Sequence, residues 1–356
     1  MDAISLKKFF KAPLLYSSII ILSLALLTSC EKTPHSHHEQ IIALGTVVDI
    51  KLWDVDEDLA HKASIEIGTT MNSVNERWHA WQPSLLTQIN QEIADGKTVS
   101  LDAPTFQLLS KAQSLSHQSS GLFHPGLGNL IELWGFHSDN APKGPPPSVE
   151  QRQAWLKKAE NIDKLILENN SAKLTEGKMR LDLGGFAKGH AIDLAINRIQ
   201  ALGIKNAIIN AGGDLRAIGS KGNTPWRVGV RDPRSTSVIA SIETQGDESI
   251  FTSGDYERYF EYNNQRYHHL IDPRTGEPAR TTTSVTIIHH DAATADAAAT
   301  AIFIAGPTEW TRIAKQMGIE YVMLIAEDEK IYMSPKMEER VYFLKELKNR
   351  PIIQPL

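Results

Sequence analysis

The sequence predicts an α+β body, mixed β-sheets packed with helices, on three observations. Many short apolar segments recur along the chain, and several helical periodicities are set among them without strict β-α-β alternation. The joints between segments are marked by glycine, asparagine, proline or charge. Composition is that of a globular chain: 41% hydrophobic and 22% charged residues over 356 positions, enough for a large core. A formal charge of −5 gives no basis for nucleic-acid binding.

Residues 1–29 stand apart as a leader. Lys7, Lys8 and Lys11 form a basic region, residues 14–27 are almost wholly apolar yet short for a membrane span, and Leu27-Thr28-Ser29-Cys30 follows. A leucine, two small residues and a cysteine in that position resemble a bacterial lipobox. That implies cleavage before Cys30 and its lipidation; an uncleaved anchor helix with an incidental cysteine is the alternative. Either places the rest of the chain outside the cytoplasm. Cys30 is the only cysteine, so no intramolecular disulfide can form. Residues 30–40, with His35, His37 and His38, read as a polar tether.

Residues 41–53 read as one strand with Gly45-Thr46 inside it, and 59–78 as a helix broken by a segment bearing Trp78 and Trp81. Asp102 is an N-cap, with Pro104 near the first turn, for a helix to about 119, which Gly121 ends. A glycine-rich loop follows at 122–128, and four prolines stiffen 140–147. Ser148 caps a helix to about 159, and 164–168 with 171–175 form a hairpin. Strands are expected at 178–183, 206–209, 226–230, 237–243, 249–252 and 284–289, with a pair at 256–262 and 266–271 joined by Asn263-Asn264-Gln265. Helices are expected at 191–202, ended by Gly203, and at 294–304, which is alanine-rich and so suited to close packing. A helix and two strands complete a domain of 41–335, and 336–356 reads as a polar tail.

The chain is organised around Leu181-Asp182-Leu183-Gly184-Gly185-Phe186-Ala187-Lys188-Gly189-His190-Ala191-Ile192-Asp193. Glycines admit positive φ and close approach of a ligand, and a following helix N-terminus offers amides to an anion. Asp182 and Lys188 flank the turn with one charge of each sign; an ordinary strand–turn–helix joint is the plain alternative. Asp296 and Thr300, four apart on a helix, present two hard oxygens on one side, which suits Mg²⁺, although capping is the commoner use of such a pair. Of His268 and His269 in a strand, one faces inward and is satisfied there. No nucleophile elbow, no Walker loop and no interior cysteine is present, which removes the common hydrolase, kinase and thiol chemistries.

Taken together, Asp182-Leu183-Gly184-Gly185-Phe186-Ala187-Lys188-Gly189, Gly212-Gly213-Asp214, Pro225-Trp226-Arg227-Val228-Gly229, Thr252-Ser253-Gly254-Asp255-Tyr256, His269-Leu270-Ile271-Asp272-Pro273-Arg274-Thr275-Gly276 and Ala295-Asp296-Ala297-Ala298-Ala299-Thr300 resemble the ApbE family in order and spacing. Leu44-Gly45-Thr46, Gly121-Leu122-Phe123-His124-Pro125 and Leu133-Trp134-Gly135-Phe136 also match family positions. The resemblance implies an ApbE-like, T-fold-related body. It further implies a FAD:protein FMN transferase that uses Mg²⁺ to cut the FAD pyrophosphate, moves FMN to a threonine hydroxyl and releases AMP. FAD hydrolysis to FMN and AMP, or flavin binding without turnover, are the competing activities.

Carried over by position, Gly185 would offer its carbonyl and Asp296 and Thr300 their side chains to Mg²⁺. Leu44, Trp81, Leu122, Phe123, His124, Asp182, Lys188 and Ile271 would line the FAD site. Asp182 and His269 are the candidates for the base. His124 stands where many members have aspartate, and Ala299 where some have a second metal-binding aspartate. The implied partners are acceptor subunits of the sodium-pumping NADH:quinone reductase or Rnf type with an Asp-x-x-Thr-Gly-Ala-Thr-like site. The implied location is the periplasmic side of the inner membrane, held by the lipid on Cys30. Asp296→Ala is expected to abolish metal-dependent turnover while leaving the fold intact.

Overall fold

The computed structural model describes residues 35–138, 140, 142–159 and 161–356; the expected leader, Cys30 and the first part of the tether lie outside them. A nine-stranded sheet runs through the described body, its strands in chain order: β1 (Ser36–Ala43), β2 (Thr46–Trp53), β3 (Ala207–Ala211), β4 (Asp214–Ile218), β5 (Glu248–Gly254), β6 (Thr282–His289), β7 (Tyr321–Ala326), β8 (Ile331–Met333) and β9 (Ile352–Ile353). All neighbours are antiparallel except β8 and β9. Helices α1 (Glu57–Trp78), α2 (Ala103–Gln118) and α3 (Ala187–Ala201) lie between β2 and β3, and α4 (Ala292–Gln316) between β6 and β7. The chain is thus α+β, as its sequence predicts.

Successive side chains of a strand point to opposite faces, and here both faces are buried. Ile209, Phe251, Ile287, Val322 and Leu324 join the core beneath the helices, with Ile67 and Met71 of α1, Ile192 and Ile196 of α3, and Ile302 and Phe303 of α4. Their neighbours Ile208, Ile250, Ile288, Met323 and Ile325 face the other way. There they meet Trp226, and Val228, Val230, Ala240 and Ile242 from a three-stranded sheet of Arg227–Arg231, Val238–Glu243 and Val341–Phe343. Three layers result, and double burial explains why these strands read as continuous apolar runs. A satellite cluster of Leu130, Trp134, Phe136, Phe260 and Ile271 sits apart from both cores.

Five expectations are corrected. The tether does not extend to residue 40: Ser36–Ala43 is a strand paired with β2 along its length, with His38 Nε2 2.7 Å from Asp49 Oδ1. Residues 41–53 are therefore the second half of one strand, a turn and another strand. Leu44 and Gly45, at φ 54° and 70°, make the turn, a two-residue form whose usual signal is Asn-Gly rather than a leucine. Residues 178–183 form no strand; Arg180 makes one isolated bridge to Leu127. Helix α3 begins at Ala187, so Lys188 and Gly189 belong to its first turn. Lastly, 336–356 is not a free tail. Met337 is fully buried, Arg340 donates to both carboxylate oxygens of Glu248, Val341–Phe343 pairs with Val238–Glu243, and Trp310 Nε1 donates to Gln354 Oε1 at 2.8 Å.

Deleting residues 336–356 therefore destabilises the body. Exposing the Met337 site alone costs about 2–5 kcal/mol. The expected result is a clearly lower urea midpoint than the intact chain, whereas an unchanged midpoint would mean the segment is a passive tail.

Candidate active site

Helix α3 starts without a cap from its own residues: Phe186 is its N-cap and makes no side-chain hydrogen bond there. The missing acceptor comes from α4, where Asp296 Oδ2 accepts from the Gly189 N–H at 2.9 Å. Helix α3 returns the favour. Asp193 Oδ1 accepts from the Ala292 N–H and Oδ2 from the Ala293 N–H, both at 3.0 Å, while Asp291 Oδ1 takes Thr294 N–H at 2.7 Å. Each helix start leaves amides that need acceptors, and here each helix supplies the other. Such an approach demands glycine at 189, where a methyl group would collide with the Ala292 carbonyl.

This crossing brings the glycine turn to α4. A Cβ placed on Gly185 would lie 3.3 Å from Thr300 Oγ1 and 3.7 Å from the Phe123 ring. Gly185, Asp296, Thr300 and Phe123 therefore gather at one place. Asp296 has one oxygen on Gly189, which leaves the other for a further partner. Because Asp296 also caps α3, the expectation that Asp296→Ala spares the fold is corrected. Asn at 296 keeps an acceptor for Gly189 and is the cleaner substitution.

Lys188 forms an ion pair with Asp214, whose Oδ1 accepts from the Thr252 N–H at 2.8 Å. Asp214 leads β4 behind Gly212 and Gly213, both at positive φ. Burial opposes the charge of Lys188, but Asp214, Asp296 and Glu257 outweigh it and raise its pKa. Burial pushes Asp296 up to about 7, with Lys188 opposing and Asp214 adding to the rise. Glu257 is pushed up to about 8, again chiefly by burial, with Asp214 next. Three carboxyl groups thus share one ammonium, a surplus of negative charge that a cation relieves. A carboxylate, a hydroxyl and a backbone carbonyl are hard donors that fit Mg²⁺. Among the described residues no three His, Cys, Asp or Glu side chains gather as ligands; this set contains only one.

A second group surrounds Asp182. Its Oδ1 accepts from Gly184 N–H at 2.7 Å; burial raises its pKa, and Arg258, Arg180 and His79 counter that. Arg180 lies over the Trp81 ring at 4.2 Å, and the His137 ring is 5.7 Å away on Trp81. His269 feels both groups, through Arg258 and Lys188. Burial, then Arg258, lowers its pKa to about 3, so it is neutral. Its Nδ1 lies 3.2 Å from the Arg258 carbonyl oxygen. A carbonyl only accepts, so Nδ1 carries the proton and Nε2 is an acceptor. His268 faces inward, with Nε2 donating to Ala279 O at 2.7 Å.

The remaining predicted residues are placed as follows. Leu44 is in the β1–β2 turn, next to Thr46, which touches Gly212. Leu122 is buried, and His124 Nδ1 accepts from Gly126 N–H at 3.0 Å. Ile271 has its side chain in the satellite cluster with Leu130, Trp134, Phe136 and Phe260. Sequence reasoning assigned no role to Asp193, Asp214, Glu257, Arg180 or Arg258. Of these, Asp193 closed the central glycine stretch and Asp214 followed Gly212-Gly213; for Asp214 a carboxylate directly after two glycines was the available signal. A cavity of about 400 Å³ includes Gly121, His124, Leu127 and Trp155, and another of about 470 Å³ includes Arg234, Asp255, Arg266 and His268.

The model of the ApbE family matches residues 44–323. The FAD:protein FMN transferase of Rhodobacter capsulatus is 36% identical over 85% of this chain, which spans 58% of that protein's length. That of Haemophilus influenzae is 28% identical over 88% of the chain and 94% of its own, and that of Treponema pallidum 31% identical over 73% and 76%. Among solved structures, the apbe protein of Thermotoga maritima superposes with a TM-score of 0.78 at 32% identity, covering 88% of this chain and all of that one. The flavin transferase ApbE of Vibrio cholerae gives 0.74 at 26% identity, over 86% and 99%.

Asp296 generates a pH test. In the folded, metal-free protein its carboxyl holds a proton up to about pH 7, whereas the unfolded chain releases it near 3.9. The folded state therefore binds more protons in that window, and its stability falls as pH rises through it. In chelator, the urea midpoint of the wild type relative to Asp296→Asn should rise as pH is lowered from 8 to 5; a constant difference would contradict the burial of this charge.

Proposed function

The chain belongs to the ApbE family and is an enzyme of the flavin-transferase kind; from that premise we propose that it cleaves the pyrophosphate of FAD with Mg²⁺ and joins FMN to a threonine of an acceptor protein, releasing AMP. The observation that carries this reading is the meeting of Gly185, Asp296 and Thr300 beside Lys188. Mg²⁺, when bound there, would neutralise the diphosphate and polarise the phosphorus under attack.

The chain's own groups have distinct tasks. Asp296 and Thr300, with the Gly185 carbonyl, hold the cation. Lys188, aimed by Asp214, adds positive charge beside the phosphates. Asp182, amid His79, Arg180 and Arg258, holds a polar part of FAD rather than a proton in flight. His269 takes the threonine proton, because its Nδ1 faces the Arg258 carbonyl and its Nε2 is left as an acceptor. Trp81 and Phe123 supply aromatic surface for the ring systems of FAD. A diphosphate needs mainly positioning and charge stabilisation, which is what this donor set offers.

The lipobox-like Leu27-Thr28-Ser29-Cys30 supports a lipid anchor on Cys30 and work at the periplasmic face of the inner membrane. Acceptors of the sodium-pumping NADH:quinone reductase or Rnf type, with an Asp-x-x-Thr-Gly-Ala-Thr-like site, fit that setting.

The test is incubation with FAD, Mg²⁺ and such a subunit, read as a flavin-fluorescent band after denaturing electrophoresis. A band that needs the acceptor threonine and Mg²⁺ is expected. No band, or AMP release that is the same with and without acceptor, contradicts transfer. His269→Ala should lower the transfer rate by between about 100- and 10,000-fold; a smaller loss would remove His269 as the base.

A further inference from the structure

Asp193 and Arg216 are buried charges outside the cleft, and neither has a part in the chemistry above. Their side chains are 11% and 12% exposed. Arg216 NH1 donates to Asp193 Oδ1 at 2.6 Å, while its Nε and NH2 donate to the two oxygens of Asp247 at 2.8 and 2.9 Å. Asp193 in turn holds the first two amides of α4. Strand β4 therefore grips α3 twice, with reversed polarity: Asp214 on Lys188, and Arg216 on Asp193.

A buried ion pair contributes little net stability once desolvation is counted, and its best-attested use is to fix register. Register is what α4 must have. Asp296 lies one turn after Ala292, and Thr300 one turn after that, so both point where the start of α4 directs them. A slip of one residue would rotate Asp296 by about 100°, away from Gly185. We propose that Asp193, held by Arg216, is a positioning residue that sets the start of α4 and thereby aims Asp296 and Thr300 at the Gly185 carbonyl. This rests on the reading of Asp296 and Thr300 as cation ligands.

The test compares the full chain with Asp193→Asn and Arg216→Met by calorimetric Mn²⁺ binding without FAD, by the Mg²⁺ dependence of FAD cleavage, and by urea unfolding. Groups that orient a metal ligand change affinity by about 10- to 100-fold when altered. The Mn²⁺ dissociation constant of Asp193→Asn should rise at least about 10-fold. The Mg²⁺ needed for half-maximal rate should rise in step, KM for FAD at saturating Mg²⁺ should stay near wild type, and excess Mg²⁺ should restore most of kcat. A folded Asp193→Asn with a wild-type dissociation constant overturns the proposal, whatever its urea midpoint. Should that variant not fold, Arg216→Met carries the same comparison, and an unchanged constant there overturns it equally. Wild-type protein that binds no Mn²⁺ overturns both the cation site and this inference; wild-type binding with unaffected variants overturns the inference alone.

Discussion

Two helices exchange carboxylates, and the rest of the site depends on that exchange. Asp296 of α4 accepts from the first turn of α3, and Asp193 of α3 accepts from the first two residues of α4. Neither helix start has to find all its acceptors locally, so the two can cross at a glycine with their N-terminal turns in contact. The glycine turn before α3 then falls against Thr300. The same side chain that caps one helix has only one oxygen on that cap, at the Gly189 N–H. Fold and site are joined at Asp296.

Electrostatics sharpen the picture. A protein with three carboxyl groups around one lysine in a poorly solvated cleft holds some of them protonated near neutrality. A divalent cation, as proposed, would remove that frustration, and the FAD diphosphate would bring the compensating negative charge. The histidine at the rim has the opposite adjustment: burial and Arg258 keep it neutral. Acid groups that would rather be neutral and a histidine that already is suit a site that handles a doubly charged ligand without bulk water.

Much of this was legible in the sequence, and the failures have physical causes. Caps at Asp102 and Ser148 and the apolar runs of β3, β5, β6 and β7 announced their elements, because local chemistry and burial agree there. The β1–β2 turn was hidden because Leu44 adopts a left-handed conformation without the usual asparagine or glycine. The last 21 residues, 336–356, look polar, yet they are held by the buried Met337, by ion pairs from Lys336, Arg340, Lys345 and Lys348, and by short ladders, which periodicity does not reveal. Asp296 and Thr300 had two readings, ligand or cap. Asp296 is a cap for a helix start more than 100 positions away in the chain, at the Gly189 N–H, and that cap uses only one of its oxygens. Asp193 and Arg216 carried no local signal, since their meaning comes only from a crossing between distant segments.

The most direct measurement is anomalous diffraction from crystals soaked with Mn²⁺ and FAD. The account predicts one peak in contact with Asp296 Oδ1, Thr300 Oγ1 and the Gly185 carbonyl, with the FAD diphosphate on its open side. A peak elsewhere, or FAD bound with its diphosphate remote from these three groups, would contradict it.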